Sequence, residues 1–192
     1  MKLDIKTLLG KGVAEVIIKE HLESELLAGK KLRVKFGADP TSPDLHLGHA
    51  VALRKLRQFQ DADHQVVFII GDYTARIGDP SGKSKTRPAL SREEIDKNAE
   101  TYFAQAGKIL DIKKLEIHHN SEWFEQESDW AVRLARLFTA QRILERDDFT
   151  KRLKDGVEIY LHELLYPVMQ AYDSVKISAD VEIGGTDQKF NM

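Results

Sequence analysis

No cysteine occurs in the sequence, which excludes disulfide bonds, thiolate-ligated zinc and catalysis by a thiol nucleophile. Long apolar runs are also missing, since the longest, Val66 to Ile70, is far too short to span a bilayer. The residues after Met1 lack the apolar stretch of a secretory signal, so we expect a cytoplasmic protein. With 29 basic and 31 acidic residues the net charge is -2, and no broad basic surface for nucleic acid is expected.

The remaining composition is typical of a soluble globular protein. The chain has 192 residues, 42% hydrophobic and 31% charged, which suits one domain or part of one. The predicted helices are 13–28, 48–60, 91–110, 128–145 and 161–173, and the predicted strands are 32–37, 65–71, 115–118 and 175–183. Buried strands separated by helices indicate an α/β protein with a mainly parallel sheet, which binds ligands at the carboxyl ends of its strands.

Two histidines, His46 and His49, follow the first predicted strand and begin the next helix. Their spacing places both rings on one face of a helical turn. The free N–H groups and the dipole of a helix N-terminus attract phosphate, and Gly48 would let a nucleotide approach the backbone. The pattern predicts donors for a polyphosphate, the alternative being two surface histidines in a turn.

Two further patterns place polar residues where a ligand could bind. Tyr166, Gln170 and Asp173 form one stripe on an otherwise apolar helix, which needs either partners, a ligand or exposure to solvent. Gly184-Gly185 ends a predicted strand, so that a ligand could approach the backbone there, and the acidic Asp187 that follows suits a ribose hydroxyl.

The stretch from Gly78 to Ser84 is similar to a phosphate-binding P-loop, but Ile77 occupies the position of the first P-loop glycine, so a Walker site is excluded. It instead resembles the G-D-P-S-G-K loop of tyrosyl-tRNA synthetases. The sequence H-L-G-H at 46–49 resembles the HIGH signature of class I aminoacyl-tRNA synthetases. The sequences Y-P-V-M-Q-A-Y-D at 166–173 and G-G-T-D-Q at 184–188 resemble further motifs of the tyrosyl enzymes. All four motifs occur in the family's order.

This resemblance implies activation of tyrosine by ATP. The implied catalytic residues are His46, His49, Lys83 and Arg87. The implied ATP-binding residues are Asp39, Thr41, His46, Gly48, His49, Gly185, Asp187 and Gln188. The implied tyrosine-binding residues are Gly37, Asp79, Tyr166, Gln170 and Asp173. In the family, Asp79, Tyr166 and Gln170 would hold the α-amino group, and Asp173 would accept the phenol. Asp39 and Asp187 would orient the amino acid and the ribose.

The resemblance also implies a Rossmann-like, doubly wound sheet with helices on both faces and a helical dimerisation segment at about 130–166. ATP is the expected substrate together with Mg²⁺, and neither a tightly held cofactor nor a protein-held metal is expected. The expected partners are tyrosine, ATP, tRNA(Tyr) in the full-length enzyme and a second copy of the chain, with no DNA or membrane partner. Residues 1–192 would form the N-terminal part of the catalytic domain. They lack the KMSKS loop and the anticodon-binding domain, so the chain alone is expected to be a partial active site.

Two residues depart from the better-known branch of the family. Lys35 stands where that branch has a tyrosine that helps to recognise the phenol of the substrate. Glu182 stands where a glutamine near the pocket is expected. Lys35 could pair with Asp173 or point outward from its strand. Two alternative functions stay open, namely a truncated module that binds tyrosine or ATP without turnover, and a small-molecule nucleotidyltransferase.

Overall fold

The computed structural model describes residues 4–79 and 90–192, and a four-stranded parallel sheet lies at its centre. The strands are β1 Arg33–Ala38, β2 Gln65–Ile70, β3 Glu116–His119 and β4 Val181–Glu182. Their order is β3-β2-β1-β4, and each neighbouring pair is parallel. The chain therefore winds from β1 towards one edge and returns on the other side of β1, which opens a crevice at the carboxyl ends of β1 and β4. The mainly parallel α/β sheet predicted from the sequence is confirmed.

Helices cover both faces of this sheet. They are α1 Ile5–Gly10, α2 Lys19–Leu27, α3 Leu47–Asp61, α4 Arg92–Ala106, α5 Ser121–Phe124, α6 Trp130–Ala135, α7 Ala140–Leu144, α8 Asp147–Lys154 and α9 Leu161–Lys176. Val66 and Phe68 of β2 pack with α3 and α4 on one face, whereas Val67 and Ile69 pack with α9 on the other. Successive strand residues point to opposite faces, so a continuous apolar strand must be covered on both. In the part of the chain that the structure describes, no helix is both long and apolar enough to cross a bilayer.

Elements with a strong local signal lie close to their predicted positions. The strand predicted at 65–71 is β2, and the helix predicted at 48–60 is α3, with Leu53, Leu56 and Phe59 buried as predicted. The capping box predicted at the start of α4 is also present. Glu94 N–H donates to Ser91 Oγ (3.2 Å), and Ser91 N–H donates to the Glu94 carboxylate (2.9 Å).

Three predicted elements are wrong in extent. The continuous helix predicted at 128–145 is broken into α6 and α7, because the Thr139 side chain accepts from Arg142 N–H and starts a new helix. The helix predicted from Val13 begins only at Lys19, after Ile18 in a left-handed conformation with φ 54°. The strand predicted at 175–183 shrinks to β4, because α9 continues to Lys176 and the chain leaves the helix through Ser178, whose φ is also positive.

Candidate active site

A cavity of about 510 Å³ lies at the carboxyl ends of β1 and β4. Every predicted site residue that the structure describes lines it, namely Gly37, Asp39, Thr41, His46, Gly48, His49, Asp79, Tyr166, Gln170, Asp173, Gly185, Asp187 and Gln188. The predicted catalytic residues Lys83 and Arg87 lie outside the described residues. The topology thus collects the side chains of all four motifs around one space.

The histidine pair forms the N-terminal cap of α3. Gly48 N–H donates to His46 Nδ1 (3.1 Å), and His46 N–H donates to His49 Nδ1 (3.2 Å). A neutral imidazole that accepts through Nδ1 carries its proton on Nε2, so both rings keep an Nε2–H donor. A Cβ at position 48 would lie 2.9 Å from the His46 ring, so glycine there allows the cap to close. The free N–H groups of the first turn add a second set of donors for an anion.

His49 is held in its neutral form. Burial lowers the pKa of His49, and the neighbouring His46 ring, 4.0 Å away between centroids, lowers it further. Because the cap requires an unprotonated Nδ1, this shift and the hydrogen bond support the same tautomer. The ring therefore acts as a hydrogen-bond donor rather than as a fixed positive charge at neutral pH.

Asp39 connects the end of β1 to helix α9 and to the turn after β2. The Tyr166 hydroxyl donates to Asp39 Oδ2 (2.8 Å), and the Thr74 hydroxyl donates to Asp39 Oδ1 (2.8 Å). A Cβ at Gly71 would lie 1.9 Å from Asp39 Oδ1, so a glycine at the end of β2 makes room for this carboxylate. Burial raises the pKa of Tyr166 well above its usual value, and the charge of Asp39 acts in the same direction. Tyr166 therefore stays a neutral donor.

Asp173 lines the cavity and is only 5% exposed. Its carboxylate accepts from Trp123 Nε1 (3.0 Å) and from Asn120 Nδ2 (3.3 Å). Burial raises the pKa of Asp173 to about 7, although the ammonium of Lys35 and these two donors act to lower it. The cavity is therefore lined by a carboxyl group that two fixed donors orient.

Trp123 and Asn120 contact the candidate site residue Asp173 and were not predicted from the sequence. Asn120 is fully buried directly after β3, and its amide also donates to Thr74 Oγ1 (2.9 Å). The signal available in the sequence was positional, because polar residues at the carboxyl end of a parallel strand face the ligand site. Asn120 stands in that position after the third predicted strand, 115–118.

Gln188 lies between Asp79, which is predicted to bind the amino acid, and Asp187, which is predicted to bind the ribose. Its Nε2 donates to Asp79 Oδ2 (2.9 Å) and to Asp187 Oδ2 (3.0 Å). A Cβ at Gly185 would lie 2.3 Å from Asp187 Oδ1, so glycine is required for the observed position of this carboxylate. Two acidic side chains from distant parts of the chain are thus held beside each other by one amide.

The two residues that depart from the better-known branch contact each other. Lys35 is 2% exposed, so the alternative that it points outward is wrong. Its Nζ lies 3.1 Å from Glu182 Oε2 and donates to the carbonyl oxygen of Gln170 (3.2 Å). Lys35 thus forms an ion pair with Glu182, and it acts on Asp173 through its charge, which lowers the Asp173 pKa.

Together, the parallel sheet with its crevice beside β1, the histidine pair at a helix N-terminus and the glycine-rich end of β4 are features of a class I synthetase catalytic domain. The family model for "tRNA synthetases class I (W and Y)" matches residues 27–192, and the chain belongs to this family.

Among curated relatives, the chain is similar to proteins named tyrosine–tRNA ligase. It is 60% identical over 187 residues to the protein of Deinococcus radiodurans, which covers 96% of this chain and 46% of the relative. It is 55% identical over 194 residues to that of Oleidesulfovibrio alaskensis, covering 100% of this chain and 48% of the relative. The chain thus spans about half the length of these relatives.

Solved structures of tyrosyl-tRNA synthetases share the fold. The enzyme from Archaeoglobus fulgidus, crystallised with L-tyrosine, superimposes with a TM-score of 0.78 at 26% identity, covering 98% of this chain and 58% of that one. A truncated mitochondrial enzyme from Coccidioides posadasii gives a TM-score of 0.81 at 24% identity, covering 99% and 56%. The second similarity supports the fold alone, and the Rossmann-like architecture is confirmed.

Proposed function

We propose that the protein to which this chain belongs activates tyrosine with ATP and then transfers the tyrosyl group to tRNA(Tyr). The observation that carries the proposal is one cavity that joins the His46 and His49 pair to the buried carboxyl group of Asp173. The first part suits a polyphosphate, and the second suits a side chain that carries a hydroxyl group. The named relatives support tyrosine as the amino acid.

In this proposal the polar groups on the Asp173 side of the cavity bind tyrosine. Asp173, oriented by Trp123 and Asn120, accepts the phenol hydroxyl. Asp79, Tyr166 and Gln170 bind the α-ammonium group, and Gly37 lets the substrate approach the end of β1. Because Asp173 is buried among fixed donors, a substrate without a hydroxyl leaves the carboxyl group unpaired, which disfavours phenylalanine.

The other end of the cavity binds ATP. Asp187 binds the ribose, and Gly185, Gln188, Asp39, Thr41 and Gly48 complete the nucleotide site. The tyrosine carboxylate attacks the α-phosphate, so a new phosphorus–oxygen bond forms while the bond to pyrophosphate breaks. Nε2–H donors of His46 and His49 stabilise the negative charge that develops on the phosphate oxygens. No side chain forms a covalent intermediate, and catalysis is by position and charge.

The proposal extends to the pyrophosphate leaving group, the metal that accompanies ATP and the assembly of the enzyme. Lys83 and Arg87 neutralise the departing pyrophosphate, and Mg²⁺ accompanies ATP. The active form is a homodimer in the cytoplasm that associates through the segment 130–166.

Tyrosine-dependent exchange between ATP and pyrophosphate tests the proposal on the full-length polypeptide encoded by the gene, with phenylalanine and tryptophan as controls. We expect exchange with tyrosine only, followed by charging of tRNA(Tyr). Binding of tyrosine without exchange would favour the non-catalytic module, and nucleotidyl transfer to another acceptor would favour the nucleotidyltransferase. For the 192-residue chain alone, we expect weak binding and no charging.

A further inference from the structure

Asn191 connects the proposed substrate site to a buried arginine of the helical segment. It is 2% exposed and follows Gln188 near the cavity wall. Its Nδ2 donates to Gln170 Oε1 (3.1 Å) and to Gln188 Oε1 (3.0 Å). At its other end, Asn191 Oδ1 accepts from Arg146 Nη1 (2.8 Å). One amide therefore contacts both glutamines that face the substrates.

Arg146 fixes the direction in which this amide points. Guanidinium groups donate hydrogen bonds and never accept them, so Arg146 selects the oxygen of Asn191. The amide nitrogen must then face Gln170 and Gln188, and each glutamine must turn its own oxygen towards it. The hydrogen bonds along a chain of amides can run in either of two directions. A group at one end that can only donate fixes which direction they take.

Arg146 is itself held by the helical segment. It is 4% exposed, and its Nε and Nη2 atoms donate to the two carboxylate oxygens of Asp148 (2.9 and 3.3 Å). Its guanidinium lies 5.1 Å from the centroid of the Phe149 ring. These contacts help to fix the plane of the guanidinium, so helix α8 contributes to its orientation.

We infer that Arg146 and Asn191 are positioning residues for the proposed reaction: they orient the Gln170 amide towards the α-ammonium group of the amino acid. With Asn191 on one lone pair of Gln170 Oε1, the second lone pair stays available for an ammonium hydrogen. The same contact turns the Gln188 amide nitrogen towards Asp79 and Asp187, where it donates to both carboxylates. This inference rests on the proposed function.

The test compares two ligands that differ in the ammonium group. The full-length polypeptide is assayed by ATP–pyrophosphate exchange with tyrosine as substrate and 3-(4-hydroxyphenyl)propionate, which lacks the ammonium, as competitive inhibitor. Asn191→Asp keeps an acceptor for Arg146 but removes the donor to both glutamines. Arg146→Lys keeps the charge but loses the planar fork, and it carries the test if the first variant does not fold. We expect KM for tyrosine to rise roughly tenfold with kcat nearly unchanged, while the inhibition constant of the propionate stays the same.

Arg152→Lys is the matched control, because Arg152 is equally buried, pairs with Glu163 and does not line the cavity. It should lower the melting temperature and leave both constants unchanged. Parallel weakening of tyrosine and the propionate, or no change in either, would overturn the inference. Absence of tyrosine-dependent exchange in the parent protein would instead overturn the proposed function, so the two failures are distinguishable.

Discussion

His46 and His49 cap helix α3 through Nδ1, and this leaves Nε2–H as the group each ring can offer to a phosphate. We expect His46→Ala or His49→Ala to lower the rate of adenylate formation by about 10²–10³, because in the proposed reaction each donor acts on charge that develops in the transition state. Tyrosine affinity should stay close to that of the parent. Rapid-quench measurement of the adenylate in the full-length polypeptide tests this expectation.

His21→Ala provides the control, because His21 is exposed on α2 and does not line the cavity. Its rate should equal that of the parent. A loss of tyrosine affinity with an unchanged rate in the His46 or His49 variant would assign these rings to the amino acid instead. Melting temperatures recorded in parallel report the separate effect of losing the helix cap.

The raised pKa of Asp173 should make the stability of the chain depend on pH. Burial raises the pKa of Asp173 from the usual 3.8 to about 7 in the folded protein. Between these two pH values the folded protein therefore holds a proton that the unfolded chain has released. The free energy of unfolding should therefore fall as pH rises from about 4 to about 7, by up to roughly 4 kcal/mol. Asp173→Asn carries no charge at either limit but places its NH2 group against Trp123 or Asn120, so we expect it to be less stable than the parent at acid pH and to lose much of that deficit at pH 8.

Urea unfolding at acid pH and at pH 8 measures this difference in stability. Asp180 supplies a control, because its pKa is shifted in the opposite direction. Burial opposes ionisation of Asp180, but donors from Arg33 N–H and Lys30 outweigh it and lower the pKa. Asp180→Asn should thus lose stability near neutral pH and little in acid. An equal offset between Asp173→Asn and the parent at both pH values would contradict the raised pKa.

At the scale of elements, β4 is only two residues long, and the Lys35–Glu182 pair joins it to β1. Lys35→Met leaves the Glu182 carboxylate without its cation, and we expect a loss of up to about 3 kcal/mol in unfolding free energy. Lys35→Met with Glu182→Gln should recover most of that loss, because neither side chain is then charged. A double-mutant cycle in urea measures the coupling.

Lys30→Met is the matched surface variant, because Lys30 pairs with Glu25 and Asp180 in solvent. Such exposed pairs are screened by solvent and contribute little to stability, so its effect should be small. If the double variant is as unstable as Lys35→Met alone, the loss comes from packing and not from an uncompensated charge.

The accuracy of the predicted elements followed the strength of their local signals. β2 and α3 were predicted within a residue or two, because a doubly covered strand and an amphipathic helix leave their own periodicity in the sequence. The bounds of strand β4 were not predicted, because its two residues are defined by pairing with β1 and not by a pattern in their own sequence. The short helices α5, α6, α7 and α8 are stabilised by packing, which overrides weak helix propensity.

Across the whole molecule, the motifs identified the cavity wall, but not the residues behind it. Trp123 and Asn120 touch Asp173, and Arg146 touches Asn191, across 45 to 53 positions of sequence. Such contacts arise only once the sheet has brought distant segments together, so local periodicity carries no trace of them. The ion pair of Lys35 with Glu182 was not predicted for the same reason, although both residues were recognised as departures from the better-known branch of the family.

The segment from Trp130 to Tyr166 divides its apolar residues between the core of the chain and its surface. Leu134, Ile143 and Phe149 are buried within the chain, as expected if they pack inside one subunit. Others are exposed: Val132 (70%), Leu137 (69%), Phe138 (45%), Leu153 (55%) and Leu161 (82%). Leu153 also borders an apolar depression of about 420 Å³, whose other lining residues include Leu144, Val157, Ile159 and Leu164. Exposed apolar side chains in one segment are what an association surface would present.

We expect this surface to hold two copies of the chain together. Sedimentation equilibrium at micromolar concentration should give the mass of a dimer, and Leu137→Glu with Leu161→Glu should give a monomer, because a buried carboxylate without a partner opposes association. Leu27→Glu is the control, since Leu27 is 77% exposed on α2 and lies outside the segment. A parent protein that sediments only as a monomer would refute the dimer, and dissociation by Leu27→Glu alone would place the contact on the opposite end of the chain.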